Sequence, residues 1–233
     1  MKRIFVSLAI LLVFSLCFVS CDDFKTVFDE VQTDEPTSKP TQKPVYQETN
    51  VYKPVIYLYP EADTVCSVSL DVNGELVCTY PDYADGWNNF TASPDGTLTF
   101  ANGKEYYCLY WEAKMNITPD LSQGFCVKGS ESAEFLENVL ADIGLNSREA
   151  NEFIIYWLPI LEANEYNVIT FQADAYTDAA KLNVTPAPDS MLRVYMYAYA
   201  SDEYVDIAPQ SFEPFVRDGF AVVEWGGTVE KNK

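Results

Sequence analysis

Two glutamates beside tryptophans are the side chains of this sequence most suited to chemistry. Glu112 ends the stretch YYCLYWE, and Glu224 stands in VEWG. Two carboxyl groups next to aromatic rings could hydrolyse glycosidic bonds, with one acid protonated, the other ionised, and the rings stacking the sugar. The alternative is a structural role near strand ends. The bases available as partners in that case are Lys114, Arg148, Arg193 and Arg217.

For Glu112 we predict the structural role. Tyr106, Cys108 and Tyr110 precede it at a period of two, so its carboxylate shares an aromatic face of a strand. A carboxylate in such surroundings needs a basic partner or backbone N–H donors, because an isolated buried charge is unfavourable.

Other reactive groups are few. The chain has no histidine, which excludes Ser-His-Asp triads, Cys-His pairs and most zinc sites. Downstream of Cys21, four cysteines have spacings that match no zinc motif and could form two disulfides or remain buried thiols: Cys66, Cys78, Cys108 and Cys126. The sequences DVNG and SPDG read as ordinary turns rather than calcium loops, and no phosphate-binding glycine pattern occurs. We therefore predict no metal site and no cofactor.

Aromatic side chains are the second candidate feature, because 16 tyrosines and 4 tryptophans can supply stacking area for a carbohydrate or a peptide. The stretch MLRVYMYAYA alternates between a tyrosine face and an apolar face. The tyrosine face either reaches solvent or packs beneath the predicted two-helix hairpin. The ligand-binding candidates are Tyr110, Trp111, Trp225, Tyr195 and Tyr197.

The N-terminus predicts export. Lys2 and Arg3 precede an apolar run that ends at Ser20-Cys21, which resembles a bacterial lipoprotein signal with lipid attached to Cys21. A plainly cleaved signal and an uncleaved anchor are the alternatives. Residues 21–50 are rich in Pro, Thr and acids and predict a tether. Together they indicate a location on the extracytoplasmic face of the cell membrane.

Net charge limits the partners. The formal charge of -20 repels nucleic acid and anionic lipid headgroups, so a DNA- or RNA-binding role is excluded in practice. An apolar content of 48% over 233 residues is enough for a folded core.

The remaining sequence predicts one α+β domain over residues 51–229. Strands are expected from about residue 54, near 97–100 and 105–112, and in YNVITFQ, MLRVYMYAYA and GFAVVEWGGTV. Apolar residues at helical spacing predict two helices at about 131–143 and 147–161, with Ser130 and Asn146 as N-caps, Gly144 ending the first and Pro159 kinking or ending the second. The expected fold is a β-sandwich-like sheet domain with an inserted two-helix hairpin.

A β-hairpin is predicted around Asn73-Gly74. The register that matches apolar with apolar residues pairs Leu70 with Leu76 across a three-residue loop. It leaves Cys66 and Cys78 diagonal to each other, beyond easy disulfide reach.

Four motifs carry a resemblance to a family of exported bacterial proteins with fungal relatives. They are KPVIYLYP, CLYWE (the family's YLYWE), REANEFIIYWLP and VVEWGG, in this order across residues 53–227. The resemblance implies a single shared domain and an extracytoplasmic location, and it implies no catalytic role. The expected function is a surface-exposed binding module, with a carboxylate-based hydrolase using Glu112 and Glu224 as the alternative.

Overall fold

The structure is a computed structural model that describes residues 48–230. It is a β-rich α+β fold with two sheets and three α-helices among these residues. The strands are β1 Glu48–Tyr59, β2 Thr64–Val72, β3 Gly74–Tyr80, β4 Trp87–Ala92, β5 Leu98–Thr99, β6 Glu105–Tyr106, β7 Leu109–Asn116, β8 Phe125–Lys128, β9 Tyr166–Gln172, β10 Ala180–Thr185, β11 Ser190–Ser201 and β12 Ala221–Glu230. The helices are α1 Ser132–Ile143, α2 Ser147–Leu161 and α3 Asp174–Ala179.

The larger sheet has seven strands in the order β3-β7-β1-β12-β11-β9-β8. Its pairs are antiparallel except β11 and β12, which run parallel and are joined by the long segment 202–220. The smaller sheet has five strands in the order β10-β2-β4-β5-β6. Strand β7 lies inside the larger sheet between β3 and β1, so Glu112 stands on an interior strand.

Two hydrophobic cores lie on opposite faces of the seven-stranded sheet. The first core combines side chains from both sheets, such as Ile56, Trp111, Phe90 and Tyr195. The second combines the other face of the larger sheet with α1 and α2, through residues that include Val55, Leu140, Phe153 and Trp225. Successive residues of a strand point to opposite faces, so β1, β7 and β12 each contribute side chains to both cores.

The predicted helix boundaries are confirmed in part. The predicted capping box of α2 is present, since the Asn146 side chain accepts from the Glu149 N–H and the Glu149 side chain accepts from the Asn146 N–H. Gly144 ends α1 in a left-handed conformation with φ 111°. The Ser130 N-cap was wrong: Ser130 lies in a 3₁₀ turn, Gly129–Glu131, ahead of α1. Pro159 does not end α2, which continues to Leu161.

The hairpin around Asn73-Gly74 was also wrong. Strand β2 pairs with β10 and β4 in the smaller sheet, whereas β3 pairs with β7 in the larger one, so Asn73 links two sheets. Leu70 lies opposite Leu182 instead of Leu76. The Asn73-Gly74 turn signal is local and carries no information about pairing with distant strands such as β10 and β7.

Two further sequence-based boundaries changed. The predicted strand at 105–112 is split into β6 and β7, and β1 begins at Glu48, within the segment predicted as a tether. The lipoprotein signal and most of the tether lie outside the described residues. Among the residues from 48 to 230, no helix has the length and apolarity needed to cross a membrane.

Candidate functional site

Glu112 and Glu224 lie on opposite faces of the seven-stranded sheet. The Trp111 Nε1 donates a hydrogen bond of 2.9 Å to the Glu224 Oε1 inside the first core. Glu112 follows Trp111 on the same strand, so its side chain projects from the opposite face. A glycosidase needs both carboxyl groups on the same side, flanking one bond. The catalytic pair considered as the alternative is therefore not assembled in this structure.

Glu224 is a fully buried member of an ion pair. The Arg193 Nε donates to its Oε2 at 2.6 Å, so Arg193 is the structural partner among the bases considered from sequence. The Arg193 guanidinium also donates to the Ala180 carbonyl and lies 4.6 Å from the centre of the Tyr176 ring. Burial alone would lower the pKa of Arg193, but Glu224 and Tyr176 outweigh this effect and raise it above its ordinary value, so the guanidinium stays charged. Both oxygens of Glu224 are occupied by protein donors.

Four of the five aromatic ligand-binding candidates lie in the cores. Trp111, Trp225 and Tyr195 have no exposed surface, and Tyr197 is 5% exposed. The tyrosine face of β11 joins the first core, where Tyr195 stacks on Tyr176 of α3 with 4.5 Å between ring centres. The expectation that Tyr195 and Tyr197 reach solvent was therefore wrong, and so was their packing beneath α1 and α2, because those helices cover the opposite face of the sheet.

The buried tyrosines predict a loss of stability at alkaline pH. Burial raises the pKa of Tyr57, Tyr176 and Tyr195 above the ordinary value of about 10. Their neutral form is favoured in the folded state, so their contribution is complete below about pH 10 and falls as pH rises above it. We expect the free energy of unfolding to drop steeply there, with tyrosinate absorbance appearing as near-UV circular dichroism is lost. Complete tyrosine ionisation with an intact folded signal would contradict this prediction.

Glu112 holds a β-bulge in β1. Val51 lies opposite Ala113 and Val55 opposite Tyr110, so β1 carries one residue more than β7 in this interval. Lys53 lies in the bulge with φ 57°, and its backbone N–H donates to the Glu112 Oε1 at 3.3 Å. The backbone N–H donor expected for Glu112 is therefore that of Lys53, and the contact supports an uncommon backbone conformation.

The bulge presents Lys53 at the centre of an aromatic surface. Its Nζ lies 5.5 Å from the Tyr110 ring centre and 5.6 Å from that of Tyr156. Tyr52 of β1 is 36% exposed and Tyr80 of β3, opposite Tyr110 in register, is 61% exposed. We call the residues around this ammonium the tyrosine–lysine surface; its members are Tyr52, Lys53, Tyr110, Glu112 and Tyr156, whereas the Tyr80 ring packs against Tyr106 of β6. Tyr110 is the one predicted ligand-binding residue found there.

The Glu112 carboxylate affects the pKa of two tyrosines of this surface. Burial raises the pKa of Tyr110, and the adjacent Glu112 carboxylate raises it further. Tyr156 responds in the same way, first to burial and then to Glu112. Both phenols therefore remain neutral hydrogen-bonding groups well beyond physiological pH. No carboxylate lies within ion-pair distance of the Lys53 ammonium in the part of the chain described.

Residues of the four sequence motifs contact one another at this surface and in the cores beneath it. Gly226 has no side chain where β12 passes the bulge, and a Cβ there would lie 3.0 Å from the Pro54 Cα. The motif contacts are Lys53 with Glu112, Pro54 with Gly226, Tyr57 with Glu152, Trp111 with Glu224, and Trp157 with Gly227. The motif residues thus position one another.

The thiols offer less chemistry. All four cysteines within the described residues are free, and Cys66 and Cys78 belong to different sheets. Burial, followed by Glu152, raises the pKa of Cys108 to about 12, which keeps this thiol protonated at neutral pH. No group of three or more metal-ligating side chains occurs between residues 48 and 230.

A cavity of about 220 Å³ lies beside the end of β9. Two glutamine side chains that line it are hydrogen-bonded to backbone groups. Gln210 bonds the N–H and the carbonyl of Phe171, and Gln172 bonds the N–H and the carbonyl of Asp120. These groups complete the sheet edge and are not free to receive a ligand.

Comparison with known proteins shows one similar stretch. A protein of Butyrivibrio fibrisolvens described as "Uncharacterized protein in bglA 3'region" is 55% identical over 62 residues, which is 26% of this chain and 64% of that protein. The chain therefore spans less than two thirds of the length of that relative. No family model and no solved structure matches the chain.

Proposed function

We propose that this protein is a cell-envelope lipoprotein whose folded domain, residues 51–229, is a surface-exposed binding module. The observation that carries the proposal is the tyrosine–lysine surface, where the partly exposed rings of Tyr110 and Tyr156 flank an ammonium that has no ion-pair partner within residues 48–230. The scaffold is a β-sandwich-like pair of sheets with α1 and α2 as a helical hairpin. The proposal includes membership of the exported family that shares the four motifs.

The geometry favours binding because the surface is preorganised. Lys53 is fixed by the bulge and by Glu112, and Tyr110 stands on an interior strand. Tyrosines lose little side-chain entropy on contact and offer both an apolar ring and a polar hydroxyl. Little ordering is then needed when a ligand arrives, which improves affinity.

The anchoring half of the proposal rests on the sequence. Cleavage before Cys21 and lipidation of its thiol would add acyl chains, and two chains hold a protein stably at a membrane. Residues 21–50 would then act as the tether that lifts the domain from the lipid surface.

Both halves can be tested with the full chain expressed in a bacterial envelope. We expect the parent protein to partition into detergent and Cys21→Ala to remain in the aqueous phase. On an array that carries both glycans and peptides, we expect signals that are retained by Cys21→Ala and lost in Lys53→Met. Tyr204→Ala, an exposed tyrosine outside the surface, is the matched control. Unchanged partitioning would refute the anchor, and an array without any Lys53-dependent signal would refute the binding module.

A further inference from the structure

We propose that the tyrosine–lysine surface binds a neutral glycan. This inference rests on the proposed function and names the chemical class of its ligand. It follows from which polar groups the surface presents, how they are charged, and which backbone groups remain available beside them.

Side chains supply the polar contacts at the centre of this surface. Lys53 and Glu112 belong to β1 and β7, and both strands are paired on two sides within the sheet. Their backbone N–H and carbonyl groups are therefore committed to the ladders, apart from the bulge that Glu112 supports. A peptide that binds as an added strand needs a free sheet edge, which here is β3, at the rim of the surface. The centre is thus better suited to a ligand recognised through its own polar substituents.

The available groups include a donor and an acceptor in close proximity. The Lys53 ammonium can only donate, and the Glu112 carboxylate can only accept. One Glu112 oxygen receives the Lys53 N–H, and the carboxylate also hydrogen-bonds with the Tyr110 hydroxyl, so a ligand would share this acceptor with both groups. The hydroxyls of Tyr110 and Tyr156 can do both. Sugar hydroxyls are also donors and acceptors at once, so adjacent hydroxyls on one ring can meet both kinds of group.

Charge restricts the ligand further. The formal charge of -20 opposes the approach of an acidic polysaccharide. A cationic ligand would have to occupy the space next to the Lys53 ammonium, where like charges repel. The rings of Tyr52, Tyr110 and Tyr156 offer flat apolar area for the C–H faces of sugar rings. A neutral polyhydroxylated chain satisfies all three conditions.

The test uses isothermal titration of the full-length protein in detergent with defined hexasaccharides. The probes are neutral hexamers of glucose, xylose and mannose, a hexamer of galacturonic acid, and an unstructured neutral peptide. We expect at least one neutral hexamer to bind. Tyr156→Ala should weaken its affinity about tenfold, the equivalent of about 1.4 kcal/mol for one aromatic contact. Tyr156→Phe should retain affinity within about threefold, because the ring remains.

Thermal unfolding of each variant separates loss of binding from loss of fold, and Tyr204→Ala should change neither. Binding of the galacturonate hexamer or the peptide through Lys53 and Tyr156, without binding of a neutral hexamer, would overturn the glycan inference and leave the binding module standing. Binding of a neutral hexamer that Tyr156→Ala and Lys53→Met do not alter would also overturn it. Absence of binding by every probe would overturn it as well, and the broader array then decides whether the binding module survives.

Discussion

Glu224→Gln lowers the free energy of unfolding by about 3–5 kcal/mol, because it leaves Arg193 charged, buried and without its counter-ion. Glutamine keeps the shape and can still accept the hydrogen bond from Trp111, so the loss reports the missing charge. Equilibrium unfolding in urea, followed by circular dichroism, measures the change. A catalytic glutamate would behave differently, since neutralising it commonly leaves stability intact or improves it.

Two controls sharpen this prediction. Glu131→Gln removes an exposed carboxylate that contacts Lys128, and its effect should be below about 1 kcal/mol. The double variant Arg193→Met with Glu224→Gln should recover much of the stability, because no charge is then left buried. A single Glu224→Gln variant as stable as the parent would show that the ion pair is not formed as described.

Glu149→Ala is expected to lower the free energy of unfolding by about 3 kcal/mol. Glu149 is fully buried, receives the Asn146 N–H in the capping box and accepts from both Nη atoms of Arg217. The expected loss in the free energy of unfolding lies at the lower end of the range for a broken buried ion pair, because the Arg217 side chain is 29% exposed. The loss of the cap adds to the effect.

Hydrogen exchange should locate this effect. Arg217 belongs to segment 202–220 and also donates to the Gly144 carbonyl, so Glu149 fixes this segment to the start of α2. Relative to the parent protein, Glu149→Ala should accelerate hydrogen exchange in residues 202–220 and in the first turn of α2 more than elsewhere. Glu134→Ala, an exposed glutamate in the first turn of α1, is the matched control and should alter exchange little. Uniform acceleration across the protein would show that Glu149 does not act locally.

Local features of the fold could be predicted from the sequence. The capping box at Asn146 and Glu149 and the end of α1 at Gly144 depend on residues within one turn, so the sequence contains the whole signal. The period of two likewise placed Tyr110 and Glu112 on one face of their strand, and in β7 both lie on the face opposite to Trp111. The pairing of β2 with β10 could not be predicted, because the two strands are separated by about half of the domain and the Asn73-Gly74 signal favoured a hairpin.

The candidate site was harder to predict than the helices. Tyr110 was identified, but Tyr52 and Tyr156 come from two other elements, β1 and α2, that only the fold brings together with β7. The tyrosines of β11 were misplaced because a period of two shows that two faces differ without showing what covers each face. The conformation of Lys53 had no sequence signal, since a positive φ usually indicates glycine or asparagine.

The two cores on opposite faces of one sheet limit how the length of this chain can vary during evolution. Inserting or deleting one residue within β7 would exchange Trp111 and Glu112 between the faces, placing an indole at the surface and a carboxylate inside the first core. The same holds for Glu224 and Trp225 in β12. Relatives of this protein should therefore differ in length at turns such as residues 101–104, while β7 and β12 change by substitution alone. The extra residue at Lys53 is tolerated within a strand because Glu112 supplies a hydrogen-bond acceptor and Gly226 leaves the space.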